Sequence, residues 1–155
     1  AFTSAGTLAK LEPQSMCLGG NHRPDGVTLV PWKRGRCLAW DATCPNTFAQ
    51  SHIQASSTQA ESAAAMAEAK KVHKYASIIG GVDFVPFAVE TSGVWGESAR
   101  ELVSEIGRRI TAVSKDVRST SFLRQRISVA VQRGNTACVL GTFPSNSHGE
   151  GTAVP

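Results

Sequence analysis

The chain has 155 residues, of which 41% are hydrophobic, and a formal net charge of +4 at pH 7. This length is typical of one domain that buries roughly two thirds of its unfolded surface, and the composition excludes an intrinsically disordered chain. No run approaches the roughly 20 apolar residues that a membrane span needs, so we expect no membrane partner. The excess of positive charge favours an anionic partner, of which nucleic acid is the commonest.

Three regions are distinguished along the chain. Residues 1–20 show little periodicity and are interpreted as an N-terminal extension, residues 21–143 as the folded domain, and residues 144–155 as a disordered tail. The four cysteines form no CxxC pair, their spacing fits no common zinc pattern, and reduced thiols are expected. They are Cys17, Cys37, Cys44 and Cys138.

The first predicted structural unit is a β-hairpin. Residues 27–32 and 37–43 are rich in β-forming side chains, and between them lies the basic turn Lys33-Arg34-Gly35-Arg36. Because side chains alternate along a strand, Asp41 is expected on the face opposite that of Trp40.

The next elements are a helix, a strand and two more helices. Residues 57–79 consist largely of helix-forming residues and end at Gly80-Gly81. Residues 83–90 predict a buried strand in which Pro86 indicates a sheet edge or a bulge. Apolar spacing predicts a helix over residues 97–114 and another around residues 123–131, ended by Gly134. The order predicts a mixed α/β domain, a small mixed sheet with flanking helices.

Two aspartates suggest a metal site. Asp25 immediately precedes the first predicted strand and Asp41 lies near the end of the second, so antiparallel pairing would bring both carboxylates to one end of the sheet. Mg²⁺ prefers oxygen ligands and typically uses one or two carboxylates. Such an ion neutralises a phosphodiester and activates water, and a nearby lysine can assist.

Three motifs, in order, resemble those of a known nuclease family. They are Arg23-Pro24-Asp25, then Trp40-Asp41-Ala42-Thr43, then Lys71-Val72-His73-Lys74-Tyr75. The set is similar to the PD-(D/E)xK restriction-endonuclease-like domain that follows the reverse transcriptase in some non-long-terminal-repeat retrotransposons. Residues 84–96 and 125–135 also resemble segments of such reading frames, and the resemblance covers residues 20–143. Thr43 stands where the motif has lysine.

The resemblance implies a restriction-endonuclease-like core and a metal-dependent DNA endonuclease. It implies that Asp25 and Asp41 bind Mg²⁺ or Mn²⁺, and that Lys71 or Lys74 replaces the motif lysine. It further implies a reverse transcriptase domain as a partner in the parent chain and an intracellular location, nuclear in a eukaryote. Glu68 and Glu90 are candidate accessory acids.

A second set of residues is suited to the phosphate backbone of DNA because its members are cationic and lie at the hairpin tip or on the last helix. These are Lys33, Arg34, Arg36, Arg124 and Arg126.

Structural interpretations remain open for each candidate. Asp25 is a good turn residue, Asp41 has a backbone amide or Arg23 as alternative partners, and the lysines fit a solvated helix face. A decayed PD-(D/E)xK module that binds DNA or acts as a scaffold is one alternative to the nuclease. An unrelated α/β protein with structural acids is the other.

Overall fold

The centre of the fold is a mixed sheet whose four described strands lie side by side in chain order. A computed structural model describes residues 1–14, 16, 22–78 and 80–142. After a short 3-10 helix at Thr3–Ala5, the elements are β1 Ala9–Leu11, β2 Gly26–Thr28, β3 Cys37–Thr43, α1 Ile53–Thr58, α2 Ser62–Lys74, β4 Val82–Ala88, α3 Glu97–Ser114 and α4 Ser119–Leu140. The predicted mixed α/β class, with a small mixed sheet and flanking helices, is confirmed.

The strands pair in two ways. β1 pairs with β2 and β2 with β3 in antiparallel register, with Gly26 opposite Trp40. β3 and β4 are parallel, from Cys37 opposite Val82 to Thr43 opposite Ala88, and α1 and α2 form the crossover that parallel strands require. Among the described residues β4 is an edge strand, so the predicted edge position of Pro86, which has no N–H to donate, is confirmed.

Helices cover both faces of the sheet. Leu38 and Trp40 face α3, α4 and the short N-terminal helix. The core of this side consists of Ala5, Leu38, Leu102, Val103, Ile106 and Leu123. The opposite face carries Ala39, Asp41 and Phe84 and lies under α2. At the C-terminal end of α2, the ring of Tyr75 packs 4.5 Å from that of Phe84. The predicted facing of Asp41 away from Trp40 is therefore confirmed.

The predicted helix over residues 57–79 is wrong in its extent. The structure has α1 and α2 instead, separated where Glu61 adopts a left-handed backbone with φ of 76°. The buried carboxylate of Glu90 accepts a hydrogen bond from the Ala64 amide, and thereby fixes a new helix start after Glu61. This contact joins residues 26 apart in sequence, beyond the reach of local propensity.

The strand predicted as buried over residues 83–90 is β4, Val82–Ala88, which is mostly half-buried. Two further predicted boundaries also differ. α4 runs to Leu140 instead of ending at Gly134, because one glycine lowers helix stability by only about 1 kcal/mol. The first strand of the hairpin ends at Thr28, whose hydroxyl donates to the Val30 carbonyl and accepts from the Leu38 amide. The basic turn forms as predicted, with Gly35 at a φ of 74°.

The N-terminal residues belong to the folded unit. β1 extends the sheet, and the ring of Phe2 stacks on that of Trp40 at 4.2 Å. Neither β1 nor the short helix was predicted. The predicted tail, residues 144–155, lies outside the described residues. No helix within residues 1–14, 22–78 and 80–142 has the length and hydropathy to cross a membrane.

Gly26 tests the packing of β2 against β3. A Cβ at this buried position would overlap the Trp40 ring, so we predict that Gly26→Ala lowers the free energy of unfolding by about 1–3 kcal/mol. Gly134→Ala is the matched control, because a Cβ there meets nothing within 4 Å, and it should raise stability by up to about 1 kcal/mol. Denaturant unfolding measures both, and a Gly26→Ala protein as stable as the wild type would contradict this packing.

Glu105 tests the contact between α3 and the hairpin. Hydrogen bonds from Arg108 and Arg109 lower the pKa of Glu105 from 4.5 to about 2, and Arg109 also donates to the Trp32 carbonyl at 2.6 Å and stacks on its ring. A lowered pKa contributes stability above pH 4.5 that is lost as the pH falls towards 2. We therefore expect the unfolding free energies of wild type and Glu105→Gln to converge over this interval.

The exposed Glu101 of the same helix provides the control, because it forms no ion pair within the described residues. Unfolding measured from pH 5 to 2 should show a smaller pH-dependent difference for Glu101→Gln. Parallel curves for wild type and Glu105→Gln would contradict the assigned pKa.

Candidate functional site

The two predicted aspartates lie at the same end of the pair formed by β2 and β3. Gly26 is paired with Trp40, and Asp25 and Asp41 are each one residue beyond that pair. The Asp25 carbonyl accepts the Glu12 amide at 2.9 Å, so this register continues from β1. The Oδ2 atom of Asp25 accepts the Ala42 amide at 2.6 Å. The Asp25 carboxylate therefore lies against the peptide bond that follows Asp41.

Asp41 is buried, and two lysines of α2 compensate its charge. The residue is 4% exposed. Its Oδ2 atom lies 2.6 Å from Nζ of Lys71 and 3.8 Å from Nζ of Lys74. Both lysines thus face the sheet, since residues three apart share one side of a helix. Arg23, the alternative partner, pairs with Glu12 at 3.0 Å.

Tyr75 connects the lysine helix to the segment that carries Asp25. Its hydroxyl donates to the Arg23 carbonyl at 2.8 Å, while its ring is 1% exposed and packs on Phe84. The Nζ atom of Lys74 lies 4.7 Å from the centre of the Tyr75 ring. All three sequence motifs therefore meet in space. Tyr75 belongs to the third motif, but the sequence predicted no role for it. The local sign of a role at the site is its position directly after Lys74.

The candidate accessory acids have other partners. Glu68 is 8% exposed, and its carboxylate accepts the amides of Ser98 and Ala99 in the first turn of α3. Glu90 is 1% exposed and accepts from the Ala64 amide at 3.0 Å and the Thr47 hydroxyl at 2.9 Å. Carboxylates at helix N-termini stabilise unpaired amides and the positive end of the helix dipole. Both glutamates thus position the helices around Asp41.

The basic residues assigned to the DNA backbone do not share one surface with Asp41. Lys33 and Arg34 are exposed at the hairpin tip, and Arg36 pairs with Asp83. The tip precedes β3, whereas Asp41 lies four residues into that strand, roughly 13 Å further along at 3.3 Å per residue.

The arginines of the last helix lie elsewhere again. α4 packs on α3, across the sheet from α2. The side chains of Arg124 and Arg126 are exposed, and Arg124 donates to the Ser104 hydroxyl at 3.0 Å. Arg124 and Arg126 therefore belong to the face of the protein that does not carry Lys71.

The aspartate pair fits a divalent cation in its donor chemistry. Within the described residues, Oδ1 of Asp25 and Oδ1 of Asp41 accept no hydrogen bond, and no buried side-chain oxygen or nitrogen lacks a partner. Oδ1 of Asp41 is therefore not completely buried. Two carboxylate oxygens without a hydrogen-bond donor suit Mg²⁺, which uses one or two carboxylates. No cluster of three or more histidines, cysteines or acids occurs in the part of the chain that the structure describes.

The ammonium group in contact with Asp41 comes from α2 rather than from β3. Thr43 follows Asp41 on the same face of β3, where the motif has lysine. Lys71 brings its ammonium group to the Asp41 carboxylate from α2.

The chain matches no protein-family model, and no curated protein matches it significantly.

Tyr75 tests the connection between the motifs. Tyr75→Phe removes the hydrogen bond to the Arg23 carbonyl but retains the ring on Phe84, so we expect a loss of about 0.5–1.5 kcal/mol in unfolding free energy. Amide NMR signals of Arg23 and Asp25 should shift. Tyr75→Leu also removes the ring contact and should be less stable still. Unchanged stability and unchanged signals in Tyr75→Phe would show that the hydroxyl does not hold this segment.

Proposed function

We propose that this chain is a metal-dependent DNA endonuclease domain of the PD-(D/E)xK type, with a restriction-endonuclease-like core and a retroelement origin. The observation that carries the proposal is the 2.6 Å contact between Lys71 Nζ and the buried Asp41 carboxylate, beside Asp25. It brings together residues from three motifs that are far apart in sequence. A purely structural pair would not require a second acid and a second lysine at the same place.

Asp25 and Asp41 would hold Mg²⁺ or Mn²⁺ through the carboxylate oxygens that accept no hydrogen bond. A bound divalent cation supplies charge neutralisation at a phosphodiester and a more acidic attacking water. Asp41 is carried by β3 and Asp25 is fixed by the Ala42 amide, so both oxygen donors are positioned before any ligand arrives. Such preorganisation favours catalysis because little reorganisation is needed during the reaction.

The two lysines differ in what they can do. The Lys71 side chain is 21% exposed and contacts Asp41 directly. The Lys74 side chain is 39% exposed and lies farther from Asp41, at 3.8 Å. We assign Lys71 to the attacking water, and Lys74 to a phosphate oxygen of the substrate.

DNA is the proposed substrate because the site combines acids for a cation with amines for an anion. The domain would nick target DNA and expose a 3′ hydroxyl for a reverse transcriptase domain in the parent chain, inside the cell and, in a eukaryote, in the nucleus. These roles rest on the sequence resemblance. Lys33, Arg34, Arg36, Arg124 and Arg126 would contact DNA only outside the cleavage site.

A decayed module that binds DNA without cutting it is the second candidate. Thr43 at the motif lysine position favours it, as does the neutralisation of Asp41 by lysine.

Nicking of supercoiled plasmid in Mg²⁺ separates these functions. We expect wild type to nick, and Asp41→Asn to reduce the rate by about a hundredfold or more, because it removes a charged metal ligand. Asp83→Asn is the matched control. That residue is also a strand aspartate paired with a cation, but it lies beside the hairpin tip, and its variant should retain nicking.

The failure modes are distinct. Intact plasmid that is retarded on a gel, with steep salt dependence, would contradict the nuclease and support the binding module. Plasmid that is neither nicked nor retarded would contradict both. Circular dichroism of each variant establishes that the protein is folded.

A further inference from the structure

The Asp41 carboxylate already has a cation in contact with it. Nζ of Lys71 lies 2.6 Å from Oδ2, within the range of a direct charge-assisted hydrogen bond. The carboxylate is almost wholly buried, and an unpaired buried charge is strongly unfavourable. Lys71 therefore satisfies the same electrostatic requirement that a divalent cation would satisfy.

We propose that Lys71 is an internal counter-ion that occupies Asp41 in the metal-free protein and is displaced from it when a divalent cation binds. This inference rests on the metal-binding part of the proposed function. If Lys71 and the cation compete for Asp41, the observed metal affinity is set by the difference in free energy between the two ion pairs.

Electrostatic repulsion provides the reason for displacement. An ammonium group and a divalent cation on one carboxylate repel each other strongly, because the buried setting screens them less than water does. The repulsion is relieved when the ammonium group moves away. Lys71 has a long flexible stem and a side chain that already reaches solvent in part, so its charge can leave without being buried elsewhere.

Lys74 provides an internal comparison. It has the same charge and lies on the same helix, but its Nζ is 3.8 Å from Asp41 and its side chain is more exposed. Its repulsion of an incoming cation is expected to be weaker, since distance and solvent both reduce it. Lys70 is exposed, adjacent to Lys71 in sequence, and has no ion pair within the described residues.

Titration with Mn²⁺ alone, without DNA, tests the competition. Isothermal calorimetry on wild type, Lys71→Gln, Lys74→Gln and Lys70→Gln compares the same charge change at three positions. We expect Lys71→Gln to bind Mn²⁺ about tenfold more tightly than wild type, Lys74→Gln no more than about threefold, and Lys70→Gln nearly unchanged. The gain should disappear in Lys71→Gln combined with Asp41→Asn.

Several results would overturn the proposal. Equal gains in all three single variants would mean general electrostatics rather than competition at Asp41. Weaker binding in Lys71→Gln would mean that Lys71 assists the cation. If neither the wild type nor Lys71→Gln binds Mn²⁺, the proposed cation site at Asp25 and Asp41 does not exist.

A measurement on the wild-type chain avoids dependence on a variant that fails to fold. Lysine acetylation followed by peptide mass spectrometry reports how readily each amine reacts. Saturating Mn²⁺ should increase acetylation of Lys71 severalfold and leave Lys70 unchanged, because a displaced amine loses its carboxylate partner. Lys71 that stays equally protected in saturating Mn²⁺ would contradict displacement.

These readouts separate the inference from the nuclease. Displacement of Lys71 by Mn²⁺ without plasmid nicking would leave the inference standing and remove the enzyme. Nicking by wild type without tighter Mn²⁺ binding in Lys71→Gln would leave the enzyme and remove the inference.

Discussion

The site is organised by one buried carboxylate. Asp41 lies under α2, 4% exposed, and remains charged there at low cost only with a cation in contact. Lys71 provides that cation from the last turn of α2. This ion pair joins α2 to the sheet, so a ligand that binds Asp41 acts on the contact between them.

Two further acids hold the frame around this ion pair. Glu90 caps the start of α2, and Glu68, in the middle of that helix, caps the start of α3. Sheet, α2 and α3 are thus connected by carboxylates that accept backbone amides. Tyr75 completes the frame at the other end of α2 by its hydrogen bond to the Arg23 carbonyl. The helix that carries the lysines is fixed at both ends, which favours a well-defined Lys71–Asp41 geometry.

Local patterns predicted the features that depend on local physics. The apolar spacing of α3 predicted its bounds, residues 97–114. The alternation of side chains along β3 predicted that Asp41 and Trp40 lie on opposite faces of the sheet. Nonlocal contacts account for what was missed. The break at Glu61 depends on Glu90, and the three residues of β1 join the sheet only through pairing with β2. The capping role of Glu68 depends likewise on where α3 begins, which no spacing within α2 reveals.

The most direct test is the anomalous scattering of Mn²⁺ in crystals of this domain. The account predicts one peak within coordination distance, about 2.2 Å, of oxygen atoms from both Asp25 and Asp41, with Lys71 Nζ no longer in contact with Asp41. Crystals that show no peak between the two carboxylates at saturating Mn²⁺, with the Lys71–Asp41 pair intact, would contradict it.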